Sequence, residues 1–460
     1  MKHYDAIVIG AGQAGTPLCR KLAESGLKTA LIERRWVGGT CVNDGCSPTK
    51  ALIASAKAAW SVRHNEVLGV SVGGITIDFD EILERKNNIV KKMRGSSEKR
   101  ILDTPNLDLL YGSARFSGPK EITVTLNDGG TDTFSADKFF INTGLQPVIP
   151  DISGIKDIPY LTSTTIMELP EVPEHLLILG SGYIALEFGQ MFARFGSKVT
   201  LIEPSERILK REDGDIAEEI AKILAREDIE ILTHTKAVQF SRNGEIITVA
   251  LESKGIKSQR SCTHVLVAAG RKPQTGSLGL DIAGIVTDEK GHIKVNARLE
   301  TSAEGIYALG DVNGGPAFTH VSYDDYRIIV QQVIKNKNAS IEGRLVPYCI
   351  FTDPQLGRIG ITEQEAREKG LDIKVAVLKN DSVARSIETG DERGMVKAVV
   401  DAKTGKILGA AVLAEQGGEI ATIMQMAMIG GITYEQIMNG VFAHPTYAES
   451  LNNLFMTLES

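Results

Sequence analysis

The 460-residue sequence predicts an α/β fold in which one strand, turn, helix and strand unit occurs twice and a smaller α+β segment follows. Three observations predict it. A glycine-rich turn stands between buried strands near the start, the same spacing returns 170 residues later, and from about Val346 short alternating strands replace the pattern. A chain of this length exceeds what one hydrophobic core organises and points to about three domains.

Residues 4–9 read as a buried parallel strand, and GAGQAG follows at once with Gly10, Gly12 and Gly15 at the fingerprint positions. A helix over 13–25 ends at Gly26, and a strand over 28–32 delivers Glu33. The first glycine permits a tight turn, the second lets backbone approach a pyrophosphate at the helix N-terminus, and the third lets helix and strand pack closely. Glu33 would accept from ribose hydroxyls. The whole is a Rossmann-like dinucleotide-binding unit. In LLILGSGYIALEFGQMFARFGSKVTLIE, Gly180, Gly182, Ala185, Gly196 and Glu203 each stand 170 positions after Gly10, Gly12, Gly15, Gly26 and Glu33. Alanine is tolerated at the third position. Two such sites in one chain suggest that electrons pass from one bound dinucleotide to another.

Between the two units lies GGTCVNDGCSPTKAL, with Cys41 and Cys46 separated by four residues. In a straight helix that step rises about 7.5 Å, beyond the ~6.8 Å limit on Cα separation for an unstrained disulfide. The segment is therefore expected to be compact but bent. Gly45 would supply backbone angles that a β-carbon forbids, and a helix over 48–58 would start at Pro48. Cys46 near that N-terminus, with Lys50 nearby, would favour the thiolate, the reactive form. Two unpaired buried cysteines near a turn is the alternative that the spacing alone leaves open.

Farther along, residues 75–102 carry helical charge patterning of a largely solvated helix, and 107–134 alternate like a small antiparallel insert. FFINTGLQPVIP and HVLVAAGRKPQT each put a glycine turn after a buried strand and read as crossovers between domains. GIYALGDVNGG supplies Asp311 at a strand end, and a helix follows over 319–334. Strands over 375–378, 394–400 and 407–413 with two helices make the last part an α+β domain built for association.

A formal charge of −7 without a long Lys/Arg run gives no footprint for nucleic acid or an anionic membrane. No apolar run reaches the roughly 18 residues needed to span a bilayer. AIVIGAG is the first strand and turn rather than a signal peptide. Five cysteines in so long a chain are no secreted disulfide framework, and a close pair in reducing cytosol is more often redox-active than structural. A cytoplasmic location is expected on this basis. Cys19, Cys262 and Cys349 are expected only to pack. The histidines show no metal-ligand spacing, so no metal site is expected.

Taken together, GAGQAG with Glu33, GGTCVNDGCSPTK, GSGYIALE, GDVNGG and the terminal HPTYAE resemble the class I pyridine nucleotide-disulfide oxidoreductases. Glutathione reductase, dihydrolipoyl dehydrogenase and mercuric reductase belong to that family. AFTHVSYDDYRI, VPY and ESLNNLF resemble its mercuric reductase-like and reactive-chlorine-responsive branch. The resemblance implies an FAD-bound homodimer whose active site is shared between subunits. Its FAD domain would be discontinuous, 1–150 and 271–342, with a pyridine-nucleotide domain over 151–270 and a dimerisation domain over 343–460.

Carried over residue by residue, the resemblance makes Cys46 the charge-transfer thiolate against the flavin and Cys41 the interchange thiol that attacks substrate. Lys50 would contact the flavin and pair with Glu187, and Thr40 would join the cofactor-binding set. Glu33 would hold the adenosine ribose of FAD, Asp311 the ribityl chain and Thr319 the pyrimidine edge. Tyr183 would be a lid that moves when nicotinamide arrives, and Ala237 and Gly270 would meet the reduced nucleotide through backbone. HPTYAE on its own reads as a helix start. Within the resemblance, His444 becomes the general acid that protonates the leaving thiolate, oriented by Glu449 and reaching the other subunit's Cys41.

The expected activity passes electrons from NAD(P)H through FAD to the Cys41/Cys46 pair and on to a disulfide or other small oxidant. Glu203 would repel a 2′-phosphate, so NADH is expected over NADPH, with Arg207 offsetting part of the repulsion. Ser47 and Asp44 make the surroundings of the cysteines more polar than the family usually has. Phe442 stands where dihydrolipoyl dehydrogenases carry another histidine, and SLNNLFMTLES lacks the cysteine pair with which mercuric reductases pass the ion inward. No N-terminal metal-carrier segment is expected either. Reduction of a metal ion or a quinone is the alternative, and a flavin-bearing redox sensor with little turnover is the rival of another class.

Overall fold

The computed structural model describes residues 1–459. Its contacts divide the chain into two compact units, one of Met1–Ala51, Leu83–Val148 and Gly270–Arg344, the other of Leu52–Ile82, Ile149–Ala269 and Leu345–Ser460.

In the first unit, strand Lys2–Ile9 lies parallel between Thr29–Glu33 and Thr131–Ile141. Strand Leu107–Gly118 extends the sheet beyond Thr29–Glu33, and Ile306–Ala308 extends it beyond Thr131–Ile141, both in parallel. Alternate residues face opposite ways along each strand. Ala6, Val8, Leu31 and Phe140 therefore pack with Leu18 and Leu22 of helix Gly15–Glu24 and with Ile329, while Ile7, Ile9, Ile32, Phe139 and Ile141 pack into a second core with Phe116. Burial on both faces marks a parallel sheet covered on two sides.

The small antiparallel insert expected over 107–134 forms, and its outer strands continue into this sheet. Leu107–Gly118 and Thr131–Ile141 are 12 and 11 residues long. They are long enough to pair antiparallel with Glu121–Leu126 at one end and parallel with the nucleotide-fold strands at the other. The two crossover segments also meet each other, Leu145–Pro147 pairing antiparallel with Arg271–Pro273.

The second unit repeats the motif. Strands His264–Val267, His175–Leu179, Lys198–Ile202 and Glu230–Leu232 form a parallel sheet in that order, and helix Tyr183–Phe195 follows the second glycine turn. Strands Thr235–Asn243, Ile246–Ser253 and Ile256–Cys262 add an antiparallel sheet that the pattern did not predict. The C-terminal part is a five-stranded antiparallel sheet, adding Tyr348–Ile350 and Gln355–Gly360 to the three expected strands. It carries five short helices among the described residues rather than two. Helix Gly417–Gly430 covers the sheet with Ile420, Ala421 and Met424 and leaves Ile423, Met426 and Ile429 exposed.

Candidate active site

Cys41 sits in the one-turn helix Gly39–Asn43, and Cys46 is the first residue of helix Cys46–Arg63, two residues before the expected start. Pro48 is tolerated there because first-turn amides have no intrahelical partner anyway. Gly45 is required for space rather than for its backbone angle. A Cβ on it would stand 2.7 Å from the Thr40 carbonyl oxygen, and its φ is not positive. Gly39 meets the fingerprint in the same way, since a Cβ there would lie 2.7 Å from the Gly12 Cα. The cysteine segment is thereby pressed against the first glycine turn.

This packing brings the two thiols within hydrogen-bonding reach, without a disulfide between them. Cys41 is half-buried and Cys46 exposed. Thr319, first residue of helix Thr319–Ile329, places its hydroxyl 3.3 Å from the Cys46 sulfur. The hydrogen bond shared with Cys46, burial and the charge on Cys46 together hold the Cys41 thiol well above the ordinary range, while the Thr319 and Ser47 hydroxyls pull it down. When the pair carries one negative charge, these contacts favour the proton on Cys41. Asp44 does not add charge near the sulfurs, because its carboxylate pairs with Arg35. Asn43 accepts from Arg94 at 2.6 Å and donates to the Val37 and Gly39 carbonyls. Lys50 lies one turn beyond Cys46 on the same helix.

The first fingerprint forms as the spacing requires. Gly10 has φ +101°, and a Cβ on Gly15 would stand 2.0 Å from the Gly10 oxygen. Glu33 Oε2 accepts from the Ala11 amide and Oε1 from the Arg35 amide, each at 2.8 Å. A residue that sequence reasoning missed completes the turn. Asn142, buried after strand Thr131–Ile141, accepts from the Gly15 amide at 3.0 Å and donates to the Leu309 oxygen at 2.7 Å. Its only sequence mark is NTG after a buried strand. Next to it, Thr143 Oγ1 is buried without a hydrogen-bond partner, an orphaned hydroxyl beside the glycine turn.

Asp311 lies in the turn Gly310–Asn313, where burial pushes its carboxyl up against the pull of Arg271, 3.6 Å away. Asp325, also missed, accepts from the Gly310 amide at 2.8 Å and pairs with Arg344 at 2.7 Å, fixing that turn. A cradle closed to any Cβ, an unsatisfied buried hydroxyl and a buried carboxylate suit a dinucleotide with pyrophosphate and polyol parts.

The second fingerprint repeats the first. Gly180 has φ +107°, Gly182 precedes helix Tyr183–Phe195, and Tyr183 is its half-buried first residue. Glu203 Oε2 accepts from the Ser181 hydroxyl at 2.5 Å and Oε1 from the Ser205 amide at 2.8 Å. The nearby cation is Lys210, 3.9 Å away, and not Arg207. Arg207 is spent on the Lys210 and Glu212 carbonyls and on Gln364, which corrects the expectation that it offsets repulsion at Glu203. Ala237 stands at a bulge in strand Thr235–Asn243. Gly270 has φ +118° and its carbonyl accepts from the Val148 amide at 3.0 Å. Glu187 is buried, and its Oε1 accepts from the Phe351 amide at 2.9 Å.

His444 Nδ1 meets the Glu449 carboxylate at 2.9 and 3.0 Å, leaving Nε2 toward solvent on a side chain that is 66% exposed. Elsewhere, His320 stacks on Phe318 and Tyr348 donates to the buried Glu212. No cluster of metal-ligating side chains occurs among the described residues, and no described helix is long and apolar enough to cross a membrane.

Residues 4–325 match the family model described as pyridine nucleotide-disulphide oxidoreductase, and residues 346–455 match the dimerisation domain of the same description. The chain is 39% identical over 459 residues to the probable pyridine nucleotide-disulfide oxidoreductase RclA of Escherichia coli K12, covering 99% of each. It is 36% identical to a mercuric reductase from Lysinibacillus sphaericus, over 99% of this chain and 83% of that one. A solved structure described as a Cu(II) complex of the HOCl-induced flavoprotein disulfide reductase RclA from Escherichia coli matches with a TM-score of 0.91, at 39% identity over 99% of both chains.

Proposed function

The chain belongs to the pyridine nucleotide-disulphide oxidoreductases, and on that premise we propose that it is a disulfide reductase, NADH-preferring and cytoplasmic, whose Cys41 and Cys46 reduce a small oxidant. The observation that carries this reading is the touching thiol pair, one sulfur at a helix N-terminus and bonded to the first residue of another helix. Helix N-termini and hydroxyl donors stabilise sulfur anions.

Bound FAD would supply the two-electron route between reduced pyridine nucleotide and the disulfide. Gly10, Gly12, Gly15, Glu33, Thr40, Lys50, Asp311 and Thr319 would hold it in a discontinuous domain of 1–150 and 271–342. Gly180, Gly182, Tyr183, Glu203, Ala237 and Gly270 would hold the pyridine nucleotide over 151–270, and Glu187 would pair with Lys50. Residues 343–460 would form the dimerisation domain, whose exposed Ile423, Met426 and Ile429 suit a subunit interface.

Reduction leaves Cys46 as the thiolate and Cys41 as the thiol. Cys41 passes its proton to His444 of the other subunit and attacks a disulfide RSSR′, forming a mixed disulfide and expelling R′S⁻, which takes that proton back from His444. Cys46 then attacks the Cys41 sulfur, restoring the internal disulfide and releasing RS⁻, which is protonated in turn. The sum is NADH + H⁺ + RSSR′ → NAD⁺ + RSH + R′SH.

Mercuric reductase among the relatives, and the Cu(II) complex recorded for RclA, favour a soft metal ion as a second substrate class. A panel of alkyl disulfides, Cu(II), Hg(II) and quinones, assayed with NADH and with Cys46→Ser, tests the proposal. Turnover of an alkyl disulfide abolished in Cys46→Ser is expected. No NADH oxidation with any acceptor would overturn it.

A further inference from the structure

Within its own chain the exposed His444 imidazole takes its direction from Glu449, which belongs to the turn Tyr447–Glu449. Thr446 shapes that turn internally, accepting from the Glu449 amide at 3.2 Å. A side chain not used in the mechanism ties it to the rest of its unit. The Tyr447 hydroxyl donates to Glu415 Oε2 at 2.9 Å and lies 2.9 Å from the Thr389 hydroxyl. The other Glu415 oxygen faces Lys57 Nζ at 3.4 Å, and Lys57 also pairs with Asp353 at 3.0 Å. Glu415 is thereby held before it receives Tyr447. Burial pushes the Tyr447 phenol up to about 12, so it remains a donor throughout the neutral range. The next helix, Ser450–Met456, is fastened separately, through Asn452 to the carbonyls of Ile437, Met438 and Gly440.

We propose that Tyr447, seated on Glu415 and Thr389, is the positioning residue for the acid that protonates the departing thiolate. The inference rests on the reading of His444 as that acid. Proton transfer requires a donor within about 2.6–3.2 Å of the leaving sulfur's proton position, and a displacement of about 1 Å costs up to roughly a hundredfold. The Tyr447 to Glu415 bond anchors the turn that carries Glu449 to the rest of its unit. Because Asn452 holds the helix Ser450–Met456 independently, loss of the phenol hydroxyl loosens the turn without unseating that helix.

The test uses the FAD-loaded full-length protein, reduced with NADH and reoxidised by either of two disulfides. Bis(2-hydroxyethyl) disulfide releases a basic alkyl thiolate that needs a proton, whereas 5,5′-dithiobis(2-nitrobenzoate) releases a stable aryl thiolate that does not. Tyr447→Phe is expected to slow reoxidation by the alkyl disulfide about tenfold, leaving the aryl disulfide and the NADH half-reaction within about twofold. Glu415→Ala should do the same. Glu415→Gln, which still accepts from the phenol, should retain most of the rate, and Tyr447→Phe/Glu415→Ala should be no slower than either single variant.

Equal effects of Tyr447→Phe on both disulfides, whether none or a common loss, would overturn the inference, since general loosening does not distinguish leaving groups. His444→Gln separates this failure from failure of the underlying reading. If His444→Gln also leaves the alkyl reaction unchanged, or wild type does not reduce the alkyl disulfide, the acid assignment itself falls.

Discussion

Replacing Glu203 with glutamine should remove most of the discrimination between NADH and NADPH. The carboxylate is 6% exposed. Burial alone would raise its pKa, but the donors Ser181 and Ser205 with Lys210 bring it below the usual range, so it is ionised at neutral pH. A unit negative charge about 4 Å away at an effective dielectric of about 20 is repelled by roughly 4 kcal/mol. Lys210 lies on the other side of the balance at 3.9 Å. Its ammonium is largely exposed and screened, and Arg207 is tied to carbonyls and Gln364. If Lys210 cancels about half, roughly 2 kcal/mol remains, or about thirtyfold. The assay is kcat/KM for both coenzymes with bis(2-hydroxyethyl) disulfide as acceptor. Wild type should favour NADH by about thirtyfold and Glu203→Gln by about threefold or less. A wild type that prefers NADPH, or a variant that keeps the wild-type ratio, would show that Glu203 does not set the choice of coenzyme.

Other outcomes come from the same geometry. Ser47→Val removes one of the two hydroxyls that lower the Cys41 pKa; losing a bond of about 1.4 kcal/mol to the thiolate should slow iodoacetamide alkylation of Cys41 in the reduced protein about tenfold, and an unchanged rate would contradict it. At Asp353, burial would raise the carboxyl, but Arg194, Lys57 and Arg393 hold it at about 2. The folded pKa lies below the unfolded one, so this stability is present above about pH 4 and is lost as pH falls through about 2, amounting to about 2 kcal/mol. Asp353→Asn leaves buried Arg194 with Glu227 as its remaining carboxylate and should cost about 2 kcal/mol in urea unfolding at neutral pH while flattening the acid limb; an unaltered acid limb would count against it. Gly15→Ala drives a methyl into the Gly10 carbonyl and should yield protein with little bound FAD by absorbance, whereas full occupancy would show that the turn can yield.

What the sequence made legible is what backbone sterics enforce. Gly10 and Gly180 take positive φ against a facing carbonyl, and Gly15 admits the Gly10 carbonyl, so backbone sterics write these marker positions. The strands of the C-terminal sheet were legible as short apolar runs, since Met395–Asp401 and Ile407–Ala414 are buried along nearly their whole length. The sheet from Thr235 to Cys262 was hidden because Ile256–Cys262 is exposed along nearly its whole length and has no apolar period. Gly45 could be marked as necessary, but not for the right reason, since its close approach to Thr40 depends on the fold of the loop. Asn142 and Asp325 escaped for a related reason. A buried amide or carboxylate that satisfies a distant turn carries no periodic signature. Arg207 was misjudged because four residues along the chain placed it near Glu203, while its guanidinium bonds to the loop itself.

The proposed chemistry stands on Cys41 and Cys46 forming the disulfide that NADH reduces. Anaerobic addition of one equivalent of NADH to the FAD-loaded, oxidised protein, followed by denaturing alkylation and peptide mass spectrometry, reads the state of each sulfur. Label should appear on both Cys41 and Cys46 after NADH and on neither before it, with Cys19, Cys262 and Cys349 labelled equally in both samples. Label on both cysteines before reduction, or on neither afterwards, would contradict it.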